Sequence, residues 1–444
     1  MTKKKKIVIN ILSLLTAFTI FAAGAGGNYS AASAGVSAGS GSVIPDLVRV
    51  NDDKISTDVN KYFDNSAVYK LSDSISPASD ISVIVEMNCP TILDEFNNRG
   101  ANGELKDFAS SVAGKFAAAR IAYERKSYLR KLNASGVRYV PGNEYDTLLS
   151  GFEITIKAKD FDKLSTIFPS ANLIVGETYE ECITEVVTND VDVYETGIFD
   201  SSDIDYQGEG VVVAVLDTGL DYTHTAFLEK NFETDASTDR FTIPYIDNCI
   251  KSTEAYKTTR GLTADGVYVS RKVPYAYDYA DKDPDVQPIN SEHGTHVAGI
   301  IAGKDDTITG VAPQAQLAIM KVFSDGQTGA KTSWILAALE DCVTLDVDVI
   351  NMSLGSSCGF AREVDEERIN VIYDKIKDRG ISLIAAASND YNATMGSKKN
   401  GNNGLTSNPD SGTVGSPSTY DAALSVASVD GVKTPYIKYG SEII

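Results

Sequence analysis

Two short blocks carry residues able to do acid–base chemistry together. One is Val211-Val212-Val213-Ala214-Val215-Leu216-Asp217-Thr218-Gly219, an apolar run that ends on an aspartate at a turn. The other is Ser291-Glu292-His293-Gly294-Thr295-His296-Val297-Ala298-Gly299, a histidine opening a small, apolar segment. By pattern the first is a buried strand and the second the start of a buried helix. A carboxylate at a strand end and an imidazole at a helix start are two members of a nucleophilic triad. A serine hydroxyl is a poor nucleophile until a base takes its proton. His293 suits that task, and Asp217 suits holding the imidazole in the right tautomer. Asn389 closes the apolar run 384–388 with an uncharged amide. Such a donor, aimed at an oxyanion, is worth roughly 3 kcal/mol of barrier. His293 and His296 stand at i and i+3, but no glutamate lies between them and no third ligand is evident, so a zinc pair is not expected. His296 is expected to be a buried structural histidine.

Positioning these groups takes a fold whose strands end at one edge. From Gly208 apolar runs alternate with helical stretches. Strands are predicted over 211–216, 316–322, 347–352, 381–387 and 423–429, and helices over 293–302, 333–342 and 363–379. This alternation predicts an α/β fold, a parallel sheet with helices on both faces. A smaller unit precedes it. A strand at 82–87, a helix over 108–132 with Phe116, Ile121 and Leu129 at helical spacing, strands at 137–140 and 148–156, a helix at 161–167 and a strand at 172–175 follow in turn. That is the order of a small α+β, ferredoxin-like unit. Residues 176–210 are acidic, lack strong periodicity and read as a junction.

At these residues the chain resembles a known family. Asp217-Thr218-Gly219-Leu220-Asp221-Tyr222-Thr223-His224 is similar to the aspartate signature of the subtilisin-like serine proteases, or subtilases. The segment from His293 to Gly299 is similar to their histidine signature. Residues 384–390 resemble the segment bearing the oxyanion asparagine, and 350–355 the strand that lines the substrate cleft. Residues 412–418 and 424–428 resemble the stretch beyond the asparagine. The blocks stand in family order over about 208–430. The resemblance implies a subtilisin-like parallel sheet and a serine-type endopeptidase that cuts proteins through an acyl-enzyme. Asp217 would orient, His293 would act as base and acid, and Asn389 would stabilise the oxyanion. Ser353, Leu354 and Gly355 would wall the substrate cleft, their backbone pairing with an extended protein or peptide substrate as an added strand. The unit at 80–179 would be an inhibitory propeptide, an intramolecular partner of the peptidase domain over 185–444, with the junction between Glu177 and Asp190.

One family signature is missing. The nucleophile of subtilases lies in a Gly-Thr-Ser-Met-Ala type of helix start beyond the asparagine, and no such block occurs. Tyr277-Asp278-Tyr279-Ala280-Asp281 resembles the lactocepin-type cell-envelope proteinases, in which a protease-associated domain precedes the serine. Residues 430–444 are expected to begin that insert and the serine to lie beyond Ile444, leaving this stretch inactive alone. The alternative is a catalytically inactive, protease-like secreted binding protein. The retained pair Asp217 and His293 weighs against it. The chemistry requires no cofactor. A structural calcium is possible, with Asp305 and Asp306 in a short loop and an acidic segment at Asp278 to Asp285 as the places to look.

Composition agrees with export. The formal charge of −21 and pI near 4.6 argue against a nucleic-acid partner. Met1-Thr2-Lys3-Lys4-Lys5-Lys6, an apolar stretch to Ala23 and Ala-x-Ala sites read as a signal peptide within 1–34, followed by a low-complexity leader over 35–79. No other run is long enough to span a membrane, so the expected location is secreted or on a Gram-positive-like cell envelope. Five cysteines without metal-type spacing do not make a disulfide framework, and a pair between Cys342 and Cys358 is only one option.

Overall fold

The computed structural model describes residues 75–100, 103–182, 206–356, 363–388, 414–427, 438–439 and 442–443. The signal peptide, nearly all of the leader, Asn389, Cys358 and most of 430–444 lie outside the described residues.

The smaller unit runs β1 (Asp80–Glu86), α1 (Ile92–Asn98), α2 (Leu105–Ser110), α3 (Val112–Ser135), β2 (Tyr139–Tyr145), β3 (Gly151–Lys157), α4 (Phe161–Ile167) and β4 (Asn172–Val175). Its sheet has the order β2-β3-β1-β4, and each neighbouring pair is antiparallel. This is the split βαβ arrangement. The helix expected over 108–132 is broken. Ser111 ends α2 and caps α3, its Oγ accepting the Gly114 N–H at 3.2 Å. A serine there satisfies a donor the first turn cannot. Helix α3 buries Ala117, Ile121, Tyr128 and Leu132, one stripe at 3.6-residue spacing. Phe116 falls off that stripe and is 70% exposed, contrary to expectation.

A short strand, β5 (Thr178–Glu181), follows. The larger unit then runs β6 (Val212–Asp217), α5 (Ile243–Cys249), α6 (Glu254–Thr258), α7 (Ala264–Val267), β7 (Tyr275–Asp278), α8 (His293–Ala302) and β8 (Gln316–Lys321). It continues through β9 (Ala330–Lys331), α9 (Thr332–Leu345), β10 (Val349–Met352), β11 (Leu354–Gly355), α10 (Glu363–Asp378), β12 (Ser382–Ala386) and β13 (Ala423–Val426). Six strands form one sheet in the order β13-β12-β10-β6-β8-β7, every adjacent pair parallel.

Strand periodicity sorts the core. Val213, Val215, Leu317, Ile319, Val349 and Ile384 pack with Val297, Ala298, Ile301 and Ala302 of α8. Their neighbours Val212, Ala214, Leu216, Ala318, Met320 and Ile350 pack on the other face with α9 and with Ile372, Tyr373 and Ile376 of α10. Successive side chains of a strand face opposite ways. Covering both faces requires both sets to be apolar, which is why these strands read as unbroken hydrophobic runs.

The α9 side of this core continues without a break into the smaller unit, reaching Val83, Ile121, Tyr145 and Phe152. Polar contacts pin the seam. The buried carboxylate of Glu340 on α9 accepts backbone N–H groups from Asp146, Thr147, Leu148 and Leu149 at 2.7–3.1 Å. Asn143 Nδ2 and the Tyr145 hydroxyl both donate to the Ser333 carbonyl, at 3.1 and 3.0 Å. Lys375 Nζ donates to the Leu148 carbonyl and pairs with Asp94, both at 3.0 Å.

Candidate active site

Asp217 ends β6, in the middle of the parallel sheet, and is 1% exposed. Carboxyl ends of parallel strands are where open α/β sheets gather their ligands. Helix α8 begins at His293. His293 Nδ1 meets Asp217 Oδ1 at 2.8 Å, and the same oxygen accepts the Thr218 N–H at 2.7 Å.

The approach of helix to strand depends on two glycines. Gly219 has φ +112°, and a Cβ there would stand 2.2 Å from the Val286 carbonyl oxygen. A Cβ on Gly294 would stand 2.3 Å from the Gly219 carbonyl oxygen and 3.1 Å from Asp217 Oδ1. Two threonines tie the pieces together. Thr218 Oγ1 accepts the Gly294 N–H at 2.8 Å and donates to the Ser291 carbonyl at 3.0 Å. Thr295 Oγ1 accepts the Asp221 N–H at 2.8 Å.

The other imidazole nitrogen is also engaged. His293 Nε2 lies 3.2 Å from the Cys182 carbonyl oxygen. Cys182 follows β5, which is threaded between two short strands. It runs antiparallel to β11, with Glu181 opposite Leu354 and Glu180 opposite Gly355, and antiparallel to β9, with Tyr179 opposite Ala330. The Cys182 N–H donates to the Ser353 carbonyl at 3.1 Å. Ser291 Oγ donates to Glu181 Oε2 at 2.6 Å. Tyr179 is buried at 3% exposure, whereas Glu180 faces solvent.

The electrostatics favour a charged imidazole in this arrangement. Burial opposes the imidazolium, but the charge and hydrogen bond of Asp217 outweigh it, with Glu181 and the Cys182 carbonyl adding to the effect. The result is a His293 pKa raised to about 9. With both ring nitrogens acting as donors, one to a carboxylate and one to a carbonyl, the geometry and the charge agree.

The subtilase family model matches residues 208–443. The chain belongs to the subtilase family. It is 29% identical over 367 residues to a PII-type proteinase of Lacticaseibacillus paracasei, covering 79% of this chain and 17% of that protein. It is 34% identical over 230 residues to a C5a peptidase of Streptococcus pyogenes serotype M3, covering 50% of this chain and 18% of the peptidase. The chain thus spans less than a fifth of the length of these curated relatives. Among solved structures, it is similar to the epidermin leader peptide processing serine protease of Staphylococcus aureus. That likeness has TM-score 0.44 and 14% identity, and covers 78% of this chain and 69% of that one.

The other site residues expected of this subtilase are placed as follows. Ser353 and Leu354 are buried and Gly355 half-buried, and all three lie along the strand 178–182. Asn389 lies outside the described residues. His296 is exposed on α8, not buried as expected; the helix turns Val297, Ala298, Ile301 and Ala302 to the core instead. Ser291 and Thr218 were not singled out in the sequence. Their roles come from loop hydrogen bonds that no periodicity reports.

Among the described residues, Asp278, Asp281 and Asp325 bring carboxylate oxygens within 4.8 Å of one another. Lys321 Nζ already lies 2.8 Å from Asp278 and 2.7 Å from Asp325. The cluster carries its own cation. Asp305 is bound up in its turn, taking the Thr307 and Ile308 N–H groups and the Thr225 hydroxyl. Cys89, Cys249 and Cys342 are free thiols. No helix among the described residues is long and apolar enough to cross a membrane.

Proposed function

We propose that the intact polypeptide is a secreted serine-type endopeptidase of the Gram-positive cell envelope, made as a zymogen, with the nucleophilic serine beyond Ile444. One observation carries the reading. His293 is bonded through Nδ1 to Asp217 and through Nε2 to a peptide carbonyl, at the end of an extended strand seated between β9 and β11. The imidazole proposed as the base is thereby held beside the carbonyl of an extended peptide.

In the proposed reaction, His293 takes the serine proton as the hydroxyl attacks and returns it to the leaving amine. Asp217 holds the tautomer and stabilises the imidazolium. Asn389 donates to the oxyanion. No metal enters these steps. The strand 178–182 is the chain's own first substrate, and the maturation cut falls between Cys182 and Ile183. The unit at 80–179 stays docked through the Glu340 contacts and acts as an inhibitor.

Two measurements on the full-length protein test this. A fluorophosphonate probe should label one serine, and labelling should be lost in His293→Ala. N-terminal sequencing of the mature form should begin at Ile183. A full-length protein that binds peptides yet never reacts with the probe would instead be the inactive binding protein.

A further inference from the structure

We propose that Ser291 makes the cleft selective for a glutamate at the position preceding the carbonyl that His293 faces, filled here by Glu181. The inference rests on the reading that residues 178–182 lie as a peptide substrate lies.

Ser291 Oγ donates to Glu181 Oε2 at 2.6 Å and accepts the His293 N–H at 3.3 Å. A hydroxyl has a single proton to give. With an acceptor side turned to the helix amide, that proton is aimed at the carboxylate. The Ser291 backbone is held too, because its carbonyl takes the Thr218 hydroxyl, which in turn takes the Gly294 N–H. The donor is therefore fixed to the same strand end and helix start that carry Asp217 and His293.

The local charge points the same way. Glu181 is one of the groups that favour the His293 imidazolium, so the imidazolium equally attracts a carboxylate at this position. The chain as a whole carries −21 and repels anions, so the preference is made by the immediate surroundings. Glutamine keeps an acceptor oxygen but loses the charge, and charge-assisted hydrogen bonds are about twice as strong as neutral ones.

A double-mutant cycle on the 444-residue chain reads this contact without turnover. Amide exchange at Cys182, whose N–H is donated to Ser353, reports how firmly the strand is seated. Glu181→Gln and Ser291→Ala should each speed exchange about tenfold, and the double variant should be no faster than either. Additive effects, or none in the single variants, overturn the proposal. A second measurement uses the processed full-length enzyme and peptides matched to Tyr-Glu-Glu-Cys and Tyr-Glu-Gln-Cys. The glutamate peptide should be favoured about tenfold in kcat/KM, and Ser291→Ala should remove most of the preference, leaving what the imidazolium supplies. Equal turnover of the two peptides overturns the selectivity and leaves the peptidase reading in place. Coupled exchange effects without turnover of any peptide end the peptidase reading and leave carboxylate recognition by Ser291 standing.

Discussion

Gly294 and Gly219 are pressed together so closely that a single methyl group on Gly294 would lie 2.3 Å from the Gly219 carbonyl oxygen. Backbone meets backbone, so no flexible side chain can give way. The contact sets the distance from helix start to strand end, and with it the reach of His293 to Asp217.

Gly294→Ala should therefore do two things. Overpacking of a close contact costs about 1–3 kcal/mol. It should also separate the imidazole from the carboxylate. Urea unfolding would measure the first effect. The His293 Nδ1 proton resonance would measure the second, and an unchanged resonance would refute the account of the glycine.

Asp217→Asn should lower the His293 pKa from about 9 to the ordinary imidazole value or below, because burial is then opposed by much less. An NMR titration of the imidazole checks this on the chain itself. In the full-length enzyme the same change should cost about four orders of magnitude in kcat.

Seating of the strand 178–182 should weaken with rising pH. Its carbonyl accepts from Nε2, and the folded-state pKa of His293 lies above the usual 6.5. A raised pKa stabilises fully below the unfolded value and is lost as pH climbs through the folded one. Asp217 supplies the larger part of that rise and is present whether or not the strand is seated, so the strand's own share, from Glu181 and the Cys182 carbonyl, is the smaller part and is lost as pH climbs towards about 9. Protection of the Cys182 amide, taken as exchange relative to the intrinsic base-catalysed rate, should fall as pH rises towards about 9 in the native chain and stay flat in His293→Gln.

Glu340→Ala would leave four buried N–H groups of residues 146–149 without their acceptor. Each unsatisfied group costs about 1–3 kcal/mol, and the four share one site, so a loss of at least about 3 kcal/mol is expected. Hydrogen exchange should rise at 146–149 while the β6 and β8 amides keep their protection. Equal loss in both places would mean that Glu340 serves the whole fold and not the seam.

The parallel sheet was legible because its strands are buried on both faces and so appear as plain apolar runs. Asp217 and His293 stood out because each closes or opens such a run. The β5 strand was hidden for the opposite reason. Thr178-Tyr179-Glu180-Glu181 has little apolar content, and its partners β9 and β11 are two residues long. Only the tertiary fold makes it a strand. The break at Ser111 had a local signal, a serine ahead of a helical run, that the longer helical periodicity masked. Ser291 and Thr218 act through single hydrogen bonds across loops, and nothing in their neighbours' spacing marks them.

Among the described residues, the apolar packing that joins α9 to the four-stranded unit forms one interior. Such a molecule should melt in a single step, with the small unit lending its rigidity to the large one for as long as both are present. Were the connecting peptide cut as proposed and the small unit to depart, the side of α9 that holds Tyr145 and the 146–149 turn would become surface. The released enzyme would then carry a bare apolar flank flanked by a carboxylate with no amides to hold, and its solubility would depend on what next covers that flank.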